Sequence, residues 1–175
     1  CIHFIADGRD TPPRSAQNYI DKIKSVLVNE LKSKYKVDTS DTGKLKRTFN
    51  GILFDSEMEM KYYRDVLCPK MESGEVADVE LQKVYQLQPK YVYHGKTIRE
   101  ITYVADFYVT YSDGTFEVIE IKGMTTPLAN MKRKMFQYLY QDLPYRWLTY
   151  IKKYGGWVDF DYAKKCRNKD KKGNS

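Results

Sequence analysis

The stretch ITYVADFYVTYSDGTFEVIEIKG, residues 101–123, decides the fold class of this chain. Two runs of β-branched and aromatic residues flank SDGT, a sequence typical of a hairpin turn. In the second run, FEVIEIKG, Glu120 and Lys122 are two residues apart and therefore share one face of the predicted strand. The stretch predicts an antiparallel hairpin that ends with a carboxylate and an ammonium group side by side.

Helices are predicted on either side of this β-rich region. Residues 56–74 carry an apolar stripe at helical spacing, and this helix is expected to end before Pro69 or, with a kink there, near Gly74. A further helix is predicted over residues 127–143, and one or two strands over residues 145–160. The order of helix, β-ribbon, helix and strand predicts an α/β (α+β) fold with a mixed central β-sheet flanked by helices.

The chain is expected to divide into three parts. Residues 1–46 form an N-terminal loop and helical arm, in which a helix begins at Ser15. A polar linker or ordered loop over residues 36–47 leads into the next part. Residues 47–162 form the main domain. Residues 163–175 form a flexible basic tail, because lysine and arginine dominate their composition.

The charge of the chain favours a polyanionic partner, and nucleic acid is the first candidate. The formal net charge is +7 and the pI is near 9.1 over 175 residues. No apolar run of about eighteen residues and no signal peptide is recognisable, so no membrane association is expected. The three cysteines are typical of reduced thiols in a cytoplasmic protein. No glycine-rich phosphate loop is present, so no nucleotide cofactor is expected. Because the chain does not begin with Met, its first residue is not expected to be the original translation start.

Three acidic residues and one lysine form the candidate site. Asp106 and Glu120 lie on the two strands of the predicted hairpin. Because paired strands are about 4.8 Å apart, the two carboxylates can converge. Carboxylate oxygens suit Mg²⁺ or Mn²⁺, which can polarise a phosphoryl oxygen and lower the pKa of a bound water. Lys122 would hold the attacking water and counter the charge that grows on the phosphate. Glu59, on the preceding helix, completes the set.

Several of these residues also have a purely structural explanation. Glu120 and Lys122 fit a solvated charge pair on an exposed strand face. Glu59 fits a capping box with Ser56, and Glu57 is a rival for its role.

The segments FDSEMEMKYY (54–63), ITYVADFYV, VIEIKG and MKRKMFQY (131–138) resemble, in this order, the small phage-borne branch of the PD-(D/E)XK nuclease superfamily. The resemblance covers about residues 47–145. Members carry an acidic residue on a helix, then D, then E-x-K on adjacent strands, and they include Holliday-junction resolvases, restriction enzymes and phage recombination nucleases. The resemblance implies a PD-(D/E)XK restriction-endonuclease-like core in which Glu59, Asp106 and Glu120 ligate the metal. These three and Lys122 would be catalytic.

The resemblance also bears on the substrate. The exonuclease branch carries Q-x-x-x-Y on the helix after E-x-K, whereas Gln137 is followed four residues later by Gln141. This departure favours an Mg²⁺- or Mn²⁺-dependent DNA endonuclease of phage or mobile-element origin, acting on branched or junction DNA in recombination. By analogy it would act as a homodimer in the cytoplasm of a bacterial host cell. A nuclease-fold DNA-binding module that does not cleave is one alternative, and a sequence-specific homing or restriction-type endonuclease is another.

The helix predicted over residues 127–143 supplies most of the candidate DNA contacts. Met131, Met135 and Leu139 are expected to face the core, which leaves its basic residues free to approach a phosphate backbone. A merely solvated helix face is the structural alternative. The expected contacts are Ser56, which corresponds to a position near the site in the resolvases, with Lys132, Arg133, Lys134 and Gln137.

The opening HFIADGRDTPPRSAQNYI, residues 3–20, resembles a loop and helix of cofactor-independent phosphoglycerate mutase. In that family the Asp-Gly-Arg-Asp loop, here 7–10, helps to bind the phosphosugar acid. The resemblance covers only about residues 1–28, without the two-metal phosphatase half or the nucleophilic serine. Mutase activity is therefore not expected, and the segment is interpreted as a fused fragment that packs on the core or serves in a dimer.

Overall fold

The computed structural model describes residues 38–173, with side chains as far as Asp170. The chain divides into two units between Lys46 and Arg47. In the first unit the described residues contain one short helix, α1 (Asp41–Lys46), where the sequence predicted a linker or loop. The helix predicted from Ser15 and the mutase-like segment lie outside the described residues.

The second unit is built on a five-stranded mixed sheet in the strand order β3-β6-β7-β8-β9. Strands β7 and β8 are parallel, and the other neighbours are antiparallel. Strands β1 and β2, and β4 and β5, form separate two-stranded hairpins. The predicted mixed central sheet flanked by helices is confirmed. The elements are β1 (Thr48–Phe49), β2 (Ile52–Leu53), α2 (Glu57–Tyr62), α3 (Cys68–Glu72), β3 (Val76–Gln88), β4 (Tyr91–Tyr93), β5 (Lys96–Ile98), β6 (Ile101–Tyr111), β7 (Phe116–Ile121), α4 (Pro127–Leu139), β8 (Tyr145–Ile151), β9 (Gly156–Asp159) and α5 (Phe160–Gly173).

The turn sequence accounts for the hairpin that joins β6 and β7. The Asp113 carboxylate accepts hydrogen bonds from the Thr115 N–H (2.9 Å) and hydroxyl (2.6 Å). Gly114 adopts a φ of 85°, a conformation that favours glycine. Beyond the turn the strands pair with Phe107 opposite Ile119, as an antiparallel hairpin requires. The hairpin predicted from residues 101–123 is confirmed.

The helical segment that begins at Glu57 continues through Pro69. A π-helical turn, Tyr63–Leu67, joins α2 to α3, and in it the Cys68 N–H donates to the Tyr63 carbonyl. Pro69 therefore lies in the first turn of α3, a position at which proline is tolerated. Of the two predicted ends for this helix, the later one, near Gly74, is observed.

Apolar clusters cover both faces of the sheet. Ile119 belongs to one cluster and Val118 to the other, so the two clusters lie on opposite faces of β7. The first cluster packs against the segment α2–α3, and the second packs against α4 through Phe136. Strand β7 is thus buried on both faces, which makes Glu120 an interior residue at 3% exposure. The interpretation of Glu120 as part of a solvated pair is wrong.

The core-facing side of α4 differs from the prediction. Phe136 is fully buried, whereas Met131 and Leu139 are 49% and 48% exposed. The Phe136 ring lies 4.5 Å from the Tyr145 ring and 5.0 Å from the Tyr140 ring, between centroids. Burial of this aromatic ring outweighs burial of the smaller side chains, and it fixes the rotation of the helix. Of the three residues expected to face the core, only Met135 packs against it.

The alternation of side chains in β3 and β6 reverses at one place. Val79 and Leu81 pack with the first cluster, whereas Tyr85 and Leu87, also odd-numbered, belong to the second. Strand β6 shows the same reversal, because Phe107 and Val109 join the first cluster and Tyr103 and Ala105 join the second. The pairs that flank the reversal are Leu81–Phe107 and Lys83–Ala105.

The residues at the reversal are Gln82 and Asp106, which this register places opposite each other. Gln82 has a φ of 52°, in the left-handed region that costs a non-glycine residue about 1–2 kcal/mol. A residue in that conformation interrupts the regular pleat, so the strand beyond it presents the opposite side chains to each face.

The C-terminal segment is helical where a flexible tail was predicted. Helix α5 runs from Phe160 to Gly173, so the expected boundary at residue 162 falls inside it. Ala163 is fully buried, and the Asp170 carboxylate accepts hydrogen bonds from Lys153 and Tyr154, both at 2.6 Å. The described basic side chains of this helix lie on its solvent side. None of the described helices is long and apolar enough to span a membrane.

Candidate functional site

Asp106 and Glu120 meet where the ladder between β6 and β7 ends. Continuing the register from Phe107 opposite Ile119 places Asp106 opposite Glu120, so both side chains lie on one face of the sheet. The Asp106 Oδ2 accepts a hydrogen bond from the Ile121 N–H at 2.7 Å. The carboxylate thus replaces a backbone carbonyl as the partner of that N–H, which explains an aspartate inside a strand.

Glu59 combines a capping role with an unsatisfied oxygen. Ser56 is the N-cap of α2, and its hydroxyl accepts a hydrogen bond from the Glu59 N–H at 3.2 Å. The same hydroxyl donates to the Glu59 Oε1 at 2.6 Å. The Glu59 Oε2 is buried and accepts no hydrogen bond from any described residue. The cap explains the backbone geometry and one oxygen, and it leaves the other oxygen without a partner.

The three carboxylates are buried within electrostatic reach of one another. Glu59, Asp106 and Glu120 are 6%, 9% and 3% exposed. Burial raises the pKa of Asp106 well above its ordinary value, and the charges of Glu120 and Glu59 raise it further. Burial also raises the pKa of Glu59, with added contributions from Asp55 and Glu120, against the hydrogen bond from Ser56. The site therefore concentrates negative charge away from water.

Lys122 supplies the cation of the site. Its Nζ forms an ion pair with the Glu120 Oε1 and lies 5.7 Å from the centroid of the Trp147 ring. Burial alone would lower the pKa of Lys122, but Glu120, Asp106 and Glu59 together hold it above the ordinary value. Lys122 is therefore protonated at neutral pH. The structure brings Glu59, Asp106, Glu120 and Lys122 to one place.

A chain of hydrogen bonds that the sequence did not suggest ends on Glu120. The Trp147 Nε1–H donates to the Tyr145 hydroxyl, which donates to the Tyr103 hydroxyl at 2.6 Å. Tyr103 in turn donates to the Glu120 Oε2 at 2.5 Å. Burial and the nearby Glu120 raise the pKa of Tyr103, so it remains a donor. Both oxygens of Glu120 are thus held, one by Lys122 and the other by Tyr103.

The chemistry of this cluster fits a divalent cation. Three buried carboxylates face one ammonium group, and the Glu59 Oε2 has no donor among the described residues. Hard oxygen ligands of this kind suit Mg²⁺ or Mn²⁺. In the described part of the chain, no three acidic, histidine or cysteine side chains already stand at coordination spacing. Coordination would therefore require these side chains to move closer together.

Two of the basic residues expected to contact DNA are occupied. The Arg133 guanidinium pairs with the Asp161 carboxylate at 2.8 and 3.2 Å and stacks 4.4 Å from the centroid of the Trp147 ring. The Lys132 Nζ donates to the Thr102 carbonyl at 2.7 Å. Both side chains are half-buried because the rotation of α4 set by Phe136 turns them toward the sheet.

Three other residues were expected to contact DNA. Lys134 and Gln137 are exposed on α4, so the structure leaves both accessible. Ser56 is half-buried and directs its hydroxyl to Glu59, which places it beside the carboxylate cluster. The surface of α4 offers fewer free cations than the sequence indicated.

Comparison with known protein families matches residues 28–156, or 129 of the 175 residues, to DUF1064, described as a protein of unknown function. All four residues of the carboxylate–lysine cluster lie within the matched range. Comparisons with curated proteins and with solved structures gave no match. Since the match covers well over half of the chain, the protein belongs to the DUF1064 family.

Proposed function

We propose that the chain is a divalent-metal-dependent DNA endonuclease of the PD-(D/E)XK type. The observation that carries this proposal is the burial of three carboxylates and one lysine in one place, with the Glu59 Oε2 lacking any donor among the described residues. A structural role accounts for the Ser56–Glu59 cap but not for that oxygen. It also gives no reason to concentrate like charges in the interior.

The arrangement of elements supports the same proposal. Glu59 lies on a helix, Asp106 on a strand, and Glu120 and Lys122 at the end of the adjacent strand. After β7 the chain passes through α4 and returns as β8, parallel to β7. This order is compatible with the superfamily pattern of an acidic residue on a helix followed by D and E-x-K on neighbouring strands.

Each residue has a role in phosphodiester hydrolysis under this proposal. Glu59, Asp106 and Glu120 would hold Mg²⁺ or Mn²⁺, which when bound supplies Lewis-acid stabilisation of the phosphate charge. Lys122 would orient the attacking water by hydrogen bonding and offset negative charge on the phosphate. The water oxygen bonds to phosphorus as the bond to the 3′ oxygen breaks, leaving 5′-phosphate and 3′-hydroxyl ends. The Tyr103 hydroxyl would fix the orientation of Glu120.

A non-cleaving DNA-binding module is the second candidate. Lys122 and Tyr103 already satisfy both oxygens of Glu120, so its carboxylate needs no metal for hydrogen bonding. This observation favours a nuclease-shaped domain in which the cluster has only a structural role.

Cleavage assays separate these candidates. Plasmid, single-stranded, flap and four-way-junction DNA would each be incubated with Mg²⁺, Mn²⁺ or EDTA. We expect metal-dependent cutting, which Glu120→Gln and Lys122→Ala reduce by about a hundredfold or more, while DNA binding in EDTA largely survives.

The matched control is Glu117→Gln, on the same strand. Glu117 is also buried, but its carboxylate contacts Tyr111 and Arg146 and lies on the other face of β7. Cutting by this variant should remain within a few-fold of wild type. If wild type cuts no DNA under any condition, or if Glu120→Gln cuts as well as Glu117→Gln does, the nuclease proposal fails.

A further inference from the structure

The hairpin of β4 and β5 exposes aromatic and aliphatic side chains on both faces. Tyr91, Val92 and Tyr93 are 45%, 69% and 60% exposed. Among the described strands these two pair only with each other, and three residues a side make a hairpin of marginal stability by itself. Exposed apolar side chains indicate an interaction site when they form a contiguous patch, so the side chains that share one face of the hairpin are the relevant ones.

One face of this hairpin combines tyrosines with a lysine. The register pairs Tyr91 with Ile98 and Tyr93 with Lys96. Because paired residues and residues two apart share a face, these four side chains lie together. The turn at His94 and Gly95, with φ values of 45° and 74°, is of the left-handed kind that matches strand twist and holds the ribbon in shape.

All the charged side chains of the hairpin segment, residues 90–99, are also cationic. Lys90, Lys96 and Arg99 lie within ten residues that contain no acidic side chain. Among the ion pairs formed by described residues, none involves these three cations. By contrast, other lysines such as Lys61, which is exposed, and Lys70, which is half-buried, each pair with a carboxylate. Unpaired positive charge beside exposed aromatic rings complements a phosphate backbone with accessible bases.

We propose that residues 90–99 form a nucleic-acid-binding hairpin that stacks Tyr91 and Tyr93 on unpaired bases and binds the flanking phosphates through its three cations. Aromatic rings stack on every base, so this surface selects for unpaired bases and not for sequence. The inference rests on the proposed function in that the partner is DNA. It deepens that function by giving a physical reason for a preference for branched DNA, where unpaired bases occur.

The test uses the full chain in EDTA, so that binding is measured without cleavage. Fluorescence anisotropy would follow binding to a blunt duplex and to the same duplex carrying a single-stranded flap. Tyr91→Ala/Tyr93→Ala should weaken flap binding roughly tenfold or more and leave duplex binding within about twofold. Lys90→Ala/Lys96→Ala/Arg99→Ala should weaken both and reduce the slope of log K against log salt by about two to three.

The matched control is Lys61→Ala/Lys70→Ala/Lys153→Ala. It also takes the formal net charge from +7 to +4 by removing three cations, but each of these is paired with a carboxylate. Its binding and salt slope should stay closer to wild type than those of the hairpin variant. Circular dichroism and thermal unfolding of all variants show whether the fold is retained.

Equal binding by the hairpin and control variants overturns the proposal, as does a tyrosine variant that weakens duplex and flap binding alike. Hairpin variants that change only self-association in sedimentation, or only binding to anionic lipid vesicles, also overturn it. Weakened flap binding in a chain that never cuts DNA would support the hairpin and contradict the nuclease. Normal cutting and flap binding by the hairpin variants would contradict the hairpin alone.

Discussion

Glu59, Asp106 and Glu120 hold three carboxylates out of water beside a single ammonium group from Lys122. Burying a charge without full compensation destabilises a fold, so this arrangement opposes folding when all three are ionised. A bound divalent cation would reverse the sign of that contribution. The first prediction at the scale of single residues follows from this balance.

Asp106→Asn should raise the melting temperature at neutral pH without added metal. The pKa of Asp106 is raised in the folded state by burial and by the charges of Glu120 and Glu59. The folded chain therefore binds this proton more tightly than the unfolded chain does. Its contribution favours folding at low pH and is lost as pH rises from about the unfolded value of 3.8 through the raised folded value. Thermal unfolding between about pH 4 and pH 8 would measure the difference between the variant and wild type.

Asp113→Asn is the control, because the pKa of Asp113 is shifted in the opposite direction to that of Asp106. Hydrogen bonds from Thr115 lower the pKa of Asp113, so its contribution is present above the unfolded value and is lost as pH falls through the folded value. This variant should be no more stable than wild type at neutral pH. Added Mn²⁺ should raise the melting temperature of wild type and Asp113→Asn more than that of Asp106→Asn. A destabilised Asp106→Asn that still responds fully to Mn²⁺ would contradict the assigned role.

Tyr103→Phe should lower cleavage about tenfold, because the Glu120 Oε2 loses the donor that orients it. It should also lower the free energy of unfolding by about 1–3 kcal/mol, since buried groups lose a partner. Tyr85→Phe is the matched control in the same cluster. The Tyr85 hydroxyl is buried and has no partner among the described residues, so its removal should be neutral or stabilise by up to about 1 kcal/mol. Equal effects of the two substitutions on cleavage would show that Tyr103 does not position Glu120.

At the scale of single elements, α2 links helix capping to the candidate site. Ser56 caps the helix and also donates to the Glu59 carboxylate. A residue placed this way contributes both to stability and to the orientation of the free Glu59 oxygen.

Ser56→Ala should lower the free energy of unfolding by about 1 kcal/mol, the usual loss for an N-cap. Thr126 caps α4 with a 3.1 Å bond from the Ala129 N–H and contacts no carboxylate of the site in the described structure. Thr126→Ala should therefore cost a similar free energy and leave cleavage unchanged, whereas Ser56→Ala should reduce cleavage several-fold. Denaturant unfolding and cleavage rates of both variants provide the test. An equal loss of cleavage in the two variants would mean that Ser56 acts only as a helix cap.

The sequence predicts an element well when local chemistry determines it. The turn residues 112–115 predicted the hairpin. The order of acidic residues and lysine along the chain identified Glu59, Asp106, Glu120 and Lys122 as candidates. The prediction of which side of α4 faces the core was wrong, because hydrophobic spacing alone did not reveal that Phe136 packs between rings from distant strands. The helical tail was missed because its anchors, Ala163 and Asp170, stand within a run of charges.

The tyrosine chain behind Glu120 could not be read from the sequence at all. Tyr103 and Tyr145 come together through a parallel pairing of β7 with β8, and that pairing depends on how α4 crosses the sheet. Contacts between residues 42 positions apart are set by topology, which local patterns do not encode. A hydrogen-bond chain of this kind can be identified only once the fold is known.

At the scale of the whole molecule, a net charge of +7 makes any DNA affinity depend on salt. The structure distributes this charge unevenly, because many lysines and arginines are already paired. Arg133 and Lys132 on α4 are occupied, whereas Lys134 is exposed.

Lys134→Ala should reduce the slope of log K against log salt by about one, as expected when one phosphate contact is lost. Lys132→Ala should leave that slope unchanged and lower the melting temperature instead, because its ammonium group donates to the Thr102 carbonyl. Anisotropy titrations between about 50 and 200 mM salt would measure both slopes. Identical slopes for the two variants would mean that α4 does not face the DNA.

The reversal of alternation at Gln82 and Asp106 has a consequence for how Glu120 acquired its neighbours. In a strand of unbroken period, even-numbered residues of β6 would share the side of Glu120, and Tyr103 would project from the back of the sheet. The reversal exchanges the two sides of β6 and places the Tyr103 phenol on the side where Thr102 or Val104 would otherwise stand. Restoring a uniform pleat here would disconnect the acid from its donor without altering either residue.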